Sequence, residues 1–193
     1  MKKPDGWDQI KGSIDAQERL KPGGHICVIR EAREVTTAKG NQHLVLALDI
    51  DEGSPFDGYF DRQFRRARDK NPATKWPLTY WQPVTDKAGA ANPYFKGLIE
   101  LIEKDNPGYS WGWNEKTLAG LHIGMLIGEK ELQGFWGPWM ALQAVRPIPI
   151  DGALEVPPPP AQRLNTDAEA LEGTVGDPEP ATTYADGGDD LPF

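Results

Sequence analysis

Leu44-Val45-Leu46-Ala47-Leu48-Asp49-Ile50, with His25-Ile26-Cys27-Val28-Ile29-Arg30-Glu31-Ala32-Arg33 before it, is the pair of runs on which the fold turns. Both are short, rich in β-branched or leucine side chains, and bounded by turn residues, which is the composition of strands. In the second run Leu44, Leu46, Leu48 and Ile50 alternate with Val45, Ala47 and Asp49, so one face is apolar. Between the runs, Lys39-Gly40-Asn41, flanked by Thr36 and Thr37, supplies hairpin turn chemistry. The pattern predicts an antiparallel pair in a mainly-β body.

Further along the chain, Asn92-Pro93 reads as the start of a helix, with a capping side chain and a proline at the first helical position. Phe95, Leu98, Ile99 and Ile102 then give one apolar stripe at i, i+3, i+4, i+7, and Asn106-Pro107-Gly108 stops it. Leu121 to Ile127, after a turn at Ala119-Gly120, and Met140 to Val145 read as two more strands. A weaker strand is expected at Leu78 to Val84, bracketed by Pro77 and Pro83. The order is hairpin, basic segment, weak strand, helix, two strands, with no internal repeat. Five short strands with a helix between the third and fourth is the order of an OB-fold, a five-stranded Greek-key barrel. An SH3-like barrel or a more open sheet gives a similar order.

The chain divides into a body, residues 1–150, and a tail, residues 151–193. Pro147, Pro149 and Pro157 to Pro160 mark the change. Residues 151–193 hold ten acids and one base, Arg163, for a net charge of −9, whereas residues 1–150 hold 19 acids and 20 bases. The overall charge of −8 therefore belongs to the tail and leaves a polyanion ligand open to the body. From residue 157 onward, few aromatics and many Asp, Glu, Gly, Pro and Thr predict a disordered tether. Its ~35 residues would have an r.m.s. reach of roughly 30–40 Å. A single cysteine, Cys27, excludes an intramolecular disulfide framework and suits a small buried side chain better than a nucleophile. The N-terminal MKKPDGWDQIKGS lacks the apolar core of a secretory signal, and no run approaches a membrane span, so the sequence reads as soluble, cytoplasmic and without a membrane partner.

Arg62, Arg65, Arg66, Arg68, Lys70 and Lys75 put six cations in fourteen residues, against Asp61 and Asp69. On a helix, Arg62, Arg65, Arg66 and Lys70 would share much of one face and could track a phosphate backbone with salt-dependent affinity. A solvated helix with Phe60 and Phe64 turned to the core accounts for the same charges. Trp76, Tyr80 and Trp81 follow, and rings interleaved with cations are what a sequence-tolerant single-strand groove needs, since every base can stack. Trp136 and Trp139 read better as closing a barrel end. Trp111 and Trp113, in Ser110-Trp111-Gly112-Trp113-Asn114, fit either role, with Trp113 the more polar-flanked candidate for DNA. Lys39 at the hairpin tip and Arg30 and Arg33 on the first strand can extend such a groove, or be ordinary surface charges. His25, His43 and His122 have no metal-ligand spacing, and no phosphate-binding loop or hydrolase motif occurs, so neither a metal, a cofactor nor a catalytic residue is expected. Asp49, Asp51 and Glu52 are the only candidate Mg²⁺ carboxylates, and a strand-ending acidic turn explains them more simply.

The final Asp189-Asp190-Leu191-Pro192-Phe193 resembles the C-terminal tip of bacterial single-stranded DNA-binding proteins, where an acidic run closes in Pro-Phe. Here Leu191 stands where that tip has Ile, and only two aspartates follow Gly187-Gly188. The body, over Tyr94 to Tyr109 and Leu121 to Gly124, is similar to phage-encoded single-stranded DNA-binding proteins that pair an OB core with such a tail. Outside the tip it does not resemble the housekeeping bacterial protein, so no tetrameric assembly carries over and the oligomeric state stays open. The resemblance implies a non-enzymatic protein that coats single-stranded DNA in a bacterial host cytoplasm. It also implies that Asp189, Asp190, Leu191, Pro192 and Phe193 recruit replication or recombination proteins. A protein-interaction adaptor with incidental DNA contact, and a metal-dependent nuclease centred on Asp49, Asp51 and Glu52, are the alternatives.

Overall fold

The computed structural model describes residues 19–164, apart from Lys39, Lys87, Phe135 and Trp136. Five strands, β1 (Gly23–Thr36), β2 (Gln42–Ile50), β3 (Thr79–Pro83), β4 (His122–Gly134) and β5 (Gly137–Ile148), form one antiparallel sheet in the order β3-β2-β1-β4-β5. The sheet curls until β3 and β5 approach each other, making a nearly closed barrel. Helix α1 (Tyr59–Arg68) lies in the connection from β2 to β3, and α2 (Pro93–Asp105) between β3 and β4.

The expected hairpin forms. β1 and β2 pair from Thr36↔Gln42 to Cys27↔Ile50, closed by Gly40 at φ 81°, whose N–H bonds to the Thr37 carbonyl at 2.8 Å. The alternation in β2 sends Leu44, Leu46, Leu48 and Ile50 into the barrel. Its other face, His43, Val45, Ala47 and Asp49, is buried too, so both faces of β2 are covered. The weak strand is β3, paired with β2 from Ala47↔Thr79 to His43↔Pro83; Pro83 is tolerated because it ends the strand.

Helix α2 follows its sequence signals. Asn92 Oδ1 accepts from Tyr94 N at 2.9 Å, and Phe95, Leu98, Ile99 and Ile102 bury the predicted stripe against the barrel interior. Full burial of such side chains stabilises by roughly 1.5–3 kcal/mol each. At the other end Asn106 Nδ2 donates to the carbonyls of Ile102 and His122, while its Oδ1 accepts from His122 N, all within 2.7–2.8 Å. One buried amide thus ties the helix end to the first residue of β4.

β4 and β5 are longer than the apolar runs suggest. β1 pairs with β4 only through Ile127, but β4 and β5 continue to Gly134↔Gly137, so a two-stranded arm carries on past the shared sheet. Gly128, Glu129, Lys130, Glu131 and Gln133 hide this arm from an apolar-run reading.

The predicted change to an extended tether at 150–157 is not where contact with the barrel ends. Ala153 is buried, Gly24 N bonds to the Val156 carbonyl at 3.0 Å, and Gln162 bridges Glu129 O and Glu131 N at 2.8 Å. Residues 151–164 therefore run as a strap over the start of β1 at Gly24 and then along the free edge of β4 at Glu129–Glu131. Gly24 is required beneath it, because a Cβ there would lie 1.7 Å from the Ala153 carbonyl oxygen. Residues 165–193, including most of the tether and the Asp189–Phe193 tip, lie outside the described residues.

Candidate nucleic-acid interface

Strand register builds the site. Arg33 and Trp81 both pair with Val45, and Glu31 and Thr79 both pair with Ala47, so these residues stand in two rows on the outer face of β1–β2–β3. His43 borders the rows, its ring edge-on to Trp81 at 5.9 Å between centroids. Between Ile29 and Glu31 the register slips by one residue, and this bulge leaves Arg30 as the extra, unregistered residue at the margin of the face.

A buried carboxylate sets helix α1 on the same face. Asp49, 0% exposed, accepts from Ile50 N and Phe60 N at 2.9 Å and from Asp61 N at 3.3 Å. α1 begins after Gly58 with no side-chain cap of its own, so a β2 side chain satisfies its first-turn amides from outside the helix. Arg30, 3.5 Å from Asp49 Oδ2, balances the buried charge. Phe64 then packs on Trp76 at 5.1 Å, and the Trp76 indole donates to the Leu48 carbonyl at 2.8 Å. Those contacts fix which side of α1 faces the sheet.

The result is a cavity of about 480 Å³ lined by Arg30, Glu31, Ala47, Asp61, Phe64, Arg65, Arg68 and Trp76. Arg68 lies over the Phe64 ring, 5.5 Å from its centroid, and Arg65 pairs with Asp61 at 2.9 Å while remaining 76% exposed. Arginine heads beside indole and phenyl faces have the chemistry that suits an anionic, aromatic polymer, since guanidinium groups pair with phosphates and aromatic rings stack on bases. Glu31 and Asp61 temper the charge, so the cavity is mixed in sign.

Of the sequence-predicted DNA residues, Arg30, Arg65, Arg68 and Trp76 line this cavity, and Arg33 and Trp81 stand in a neighbouring row of the same outer face without lining it. The helical face differs from the expected one. Asp61, Phe64, Arg65 and Arg68 line the cavity, where Arg62, Arg65, Arg66 and Lys70 were expected, because the Phe64–Trp76 contact sets the helix rotation. Arg62 is turned back to the Asp57 carbonyl, and Arg66, Lys70 and Lys75 are exposed without lining the cavity, Lys70 lying past the helix end. Phe60 is fully buried as the solvated-helix reading requires, but Phe64 is only half-buried and serves the cavity. Lys39 lies outside the described residues.

Tyr80 alternates with Trp81 and takes the opposite face. It pairs with Leu46, packs on the barrel core, and donates from its hydroxyl to Gln82 Oε1 at 3.0 Å. Burial pushes its phenol above the ordinary value of 10.0. Trp113, 78% exposed at φ 58°, lines a different cavity with Trp111, Glu34 and Glu115. Trp139 does not close the barrel: it stands opposite Leu132 on the arm and is 54% exposed, while Trp136 lies outside the described residues. The candidate Mg²⁺ carboxylates are committed elsewhere. Asp49 caps α1, Asp51 pairs with His122 Nε2 at 3.0 Å, and Glu52 is exposed. Among the described residues no three His, Cys, Asp or Glu side chains form a group able to hold a metal ion. Cys27 is buried, and burial, with Asp49 and then Asp51 adding to it, pushes its thiol well up.

The sequence reading gave Asp49 and Phe64 other roles, a strand-ending acidic turn and a core ring, and did not place them in building this face. Asp49 could have been found from the lack of any capping side chain at Gly58; Phe64 carried no separate signal. No described helix is long and apolar enough to cross a membrane. Comparison with protein families and with curated proteins finds no match to this sequence.

Proposed function

We propose that this chain is a sequence-tolerant single-stranded DNA-binding protein built on an OB-fold, acting in replication or recombination and bound to partner enzymes through its Asp189–Phe193 tip. The observation that carries the reading is the convergence of Arg30, Arg33, Arg65, Arg68, Trp76 and Trp81, distant in sequence, on the outer face of β1–β2–β3 and α1. The strand order, with α2 between β3 and β4, is compatible with an OB-fold, whose second and third strands commonly carry oligonucleotide ligands. In this reading Trp81 and the Phe64–Trp76 pair supply stacking surfaces, while the exposed Arg65 and Arg68 follow the backbone and the half-buried Arg33 lies beside Trp81. Arg30 supports the face through Asp49.

Titration of intrinsic tryptophan fluorescence with oligo-dT tests this. Saturable quenching that weakens as salt rises is expected, because each phosphate contact releases counterions. Trp81→Ala should weaken binding about 5- to 150-fold, the equivalent of ~1–3 kcal/mol for one stacked base, and evenly across base compositions. Absence of quenching at low salt would favour the adaptor, and Mg²⁺-dependent cleavage of the oligonucleotide the nuclease. For the tail, truncation after Leu164 keeps the strap and removes the acidic segment. In this reading the acidic tail also competes with DNA for the cationic face, so higher DNA affinity at low salt together with lost partner binding is expected; unchanged affinity with intact partner binding refutes both tail roles.

A further inference from the structure

The second cavity, about 220 Å³, lies where the β1–β2 hairpin meets the start of α2 and the Trp111–Trp113 loop. Its chemistry is opposite to that of the first. Buried Leu44 and Phe95 contribute apolar surface, and Trp111 and Trp113 are set at 55° with centroids 6.3 Å apart. Glu34 and Glu115 are also among the lining residues, which include no lysine or arginine. Two loop contacts hold this arrangement: Trp111 N donates to Glu103 Oε1 at 2.7 Å, and Asn114 caps the short 3-10 turn Glu115–Leu118 by accepting from Lys116 N at 3.1 Å. Trp113 sits in the left-handed region at φ 58°, a conformation few bulky residues adopt, and most of its surface is solvent-exposed.

We infer that this cavity receives a basic side chain, arginine or lysine, from a protein partner. Indole faces attract cations through their quadrupole, and tryptophan does so best. Two carboxylates beside those faces add Coulomb attraction for the same charge and repel a phosphate backbone. The strained backbone at Trp113 has a use in this arrangement, since it keeps one ring available to a ligand instead of folding it onto the barrel. The inference stands apart from the DNA reading and takes Trp113 out of the proposed DNA surface.

The test uses the full chain with N-acetyl-arginine amide as probe, and follows the Trp111 and Trp113 indole N–H resonances by NMR. Saturable shifts are expected, with N-acetyl-glutamine amide producing none. The Glu34→Gln/Glu115→Gln variant should weaken the response roughly three- to thirtyfold, as for the loss of two partly exposed ion pairs. Equal response to the neutral amide, or an unchanged response in the double variant, would overturn the proposal. So would displacement of the arginine probe by oligo-dT with matching shifts at Trp113, which would make the cavity a DNA subsite.

Discussion

Replacing Asp49 with alanine tests how the cationic helix is held. The carboxylate accepts three backbone N–H groups, two of them from the first turn of α1, and is balanced by Arg30 at 3.5 Å. Hydrogen bonds to a charged acceptor contribute about 1.5–3 kcal/mol each, and losing an N-cap about 1 kcal/mol. Against this, alanine removes the desolvation penalty of a fully buried carboxylate, which is several kcal/mol. Arg30 is 42% exposed, so its orphaned charge can turn to water and the loss stays below that of a wholly buried pair. The balance is a destabilisation of about 2–4 kcal/mol, or roughly 4–16 °C in melting temperature for a chain of this size. Asp49→Asn keeps one acceptor oxygen and should lose about half as much. Urea denaturation followed by circular dichroism measures the loss. Amide hydrogen exchange adds a local readout, since Phe60 and Asp61 N–H should exchange faster in the asparagine variant while α2 amides do not change. An alanine variant within about 0.5 kcal/mol of the parent, with Phe60 and Asp61 still protected, would refute the argument that β2 caps α1.

Gly24→Ala should dislodge the strap, because its Cβ would strike the Ala153 carbonyl oxygen; limited proteolysis is expected to cut residues 151–164 in the variant and not in the parent. Asp105 accepts from Ile150 N at 3.1 Å, yet burial, with the Asp151 charge adding a smaller share, leaves its carboxyl above the ordinary value of 3.8. The folded state therefore holds this proton more tightly than the unfolded chain, and the associated stability is present below 3.8 and lost as pH rises through the raised value. Asp105→Asn should accordingly be the more stable protein at neutral pH, with the difference shrinking as pH falls below that range; thermal melts across pH check it. Cys27 should not react with a thiol reagent in the native protein and should react fully in denaturant, since burial disfavours the thiolate. Native-state labelling at neutral pH would contradict its placement in the core.

The elements that were legible in the sequence carry their own period. Leu44–Ile50 alternates and has a turn before it, and α2 has a stripe bounded by Asn92-Pro93 and Asn106-Pro107. Each can be read locally because its boundaries and apolar residues lie within one segment, although the structure buries both faces of β2 and only one of α2. The orientation of α1 cannot be read that way. Its arginines occupy so many positions that almost any rotation presents a cationic face, and the choice falls to Phe64 packing on Trp76 and to Asp49 reaching out from the sheet. Both are tertiary contacts: the uncapped start at Gly58 hints that a partner is needed but does not name Asp49, and nothing local selects Phe64. The same holds for Tyr80 and Trp81, which as neighbours in sequence look like one aromatic patch. Pairing with Leu46 and Val45 sends them to opposite faces, so a β period divides the cluster that composition alone would join.

Register has a further consequence for how the two cavities divide the charges. On β1, Glu31 lines the arginine-rich cavity and Glu34 the tryptophan–carboxylate cavity, an odd separation along one strand that places them on opposite faces. A one-residue slip of β1 against β2 would exchange these faces and also move Ile29 and Ala32 out of the core, at a loss of apolar burial that no surface charge can offset. The hydrophobic register that closes the barrel is therefore also what keeps the two chemistries apart. The bulge at Arg30 is consistent with this: it absorbs the extra residue next to Asp49 and leaves the alternation intact on both sides.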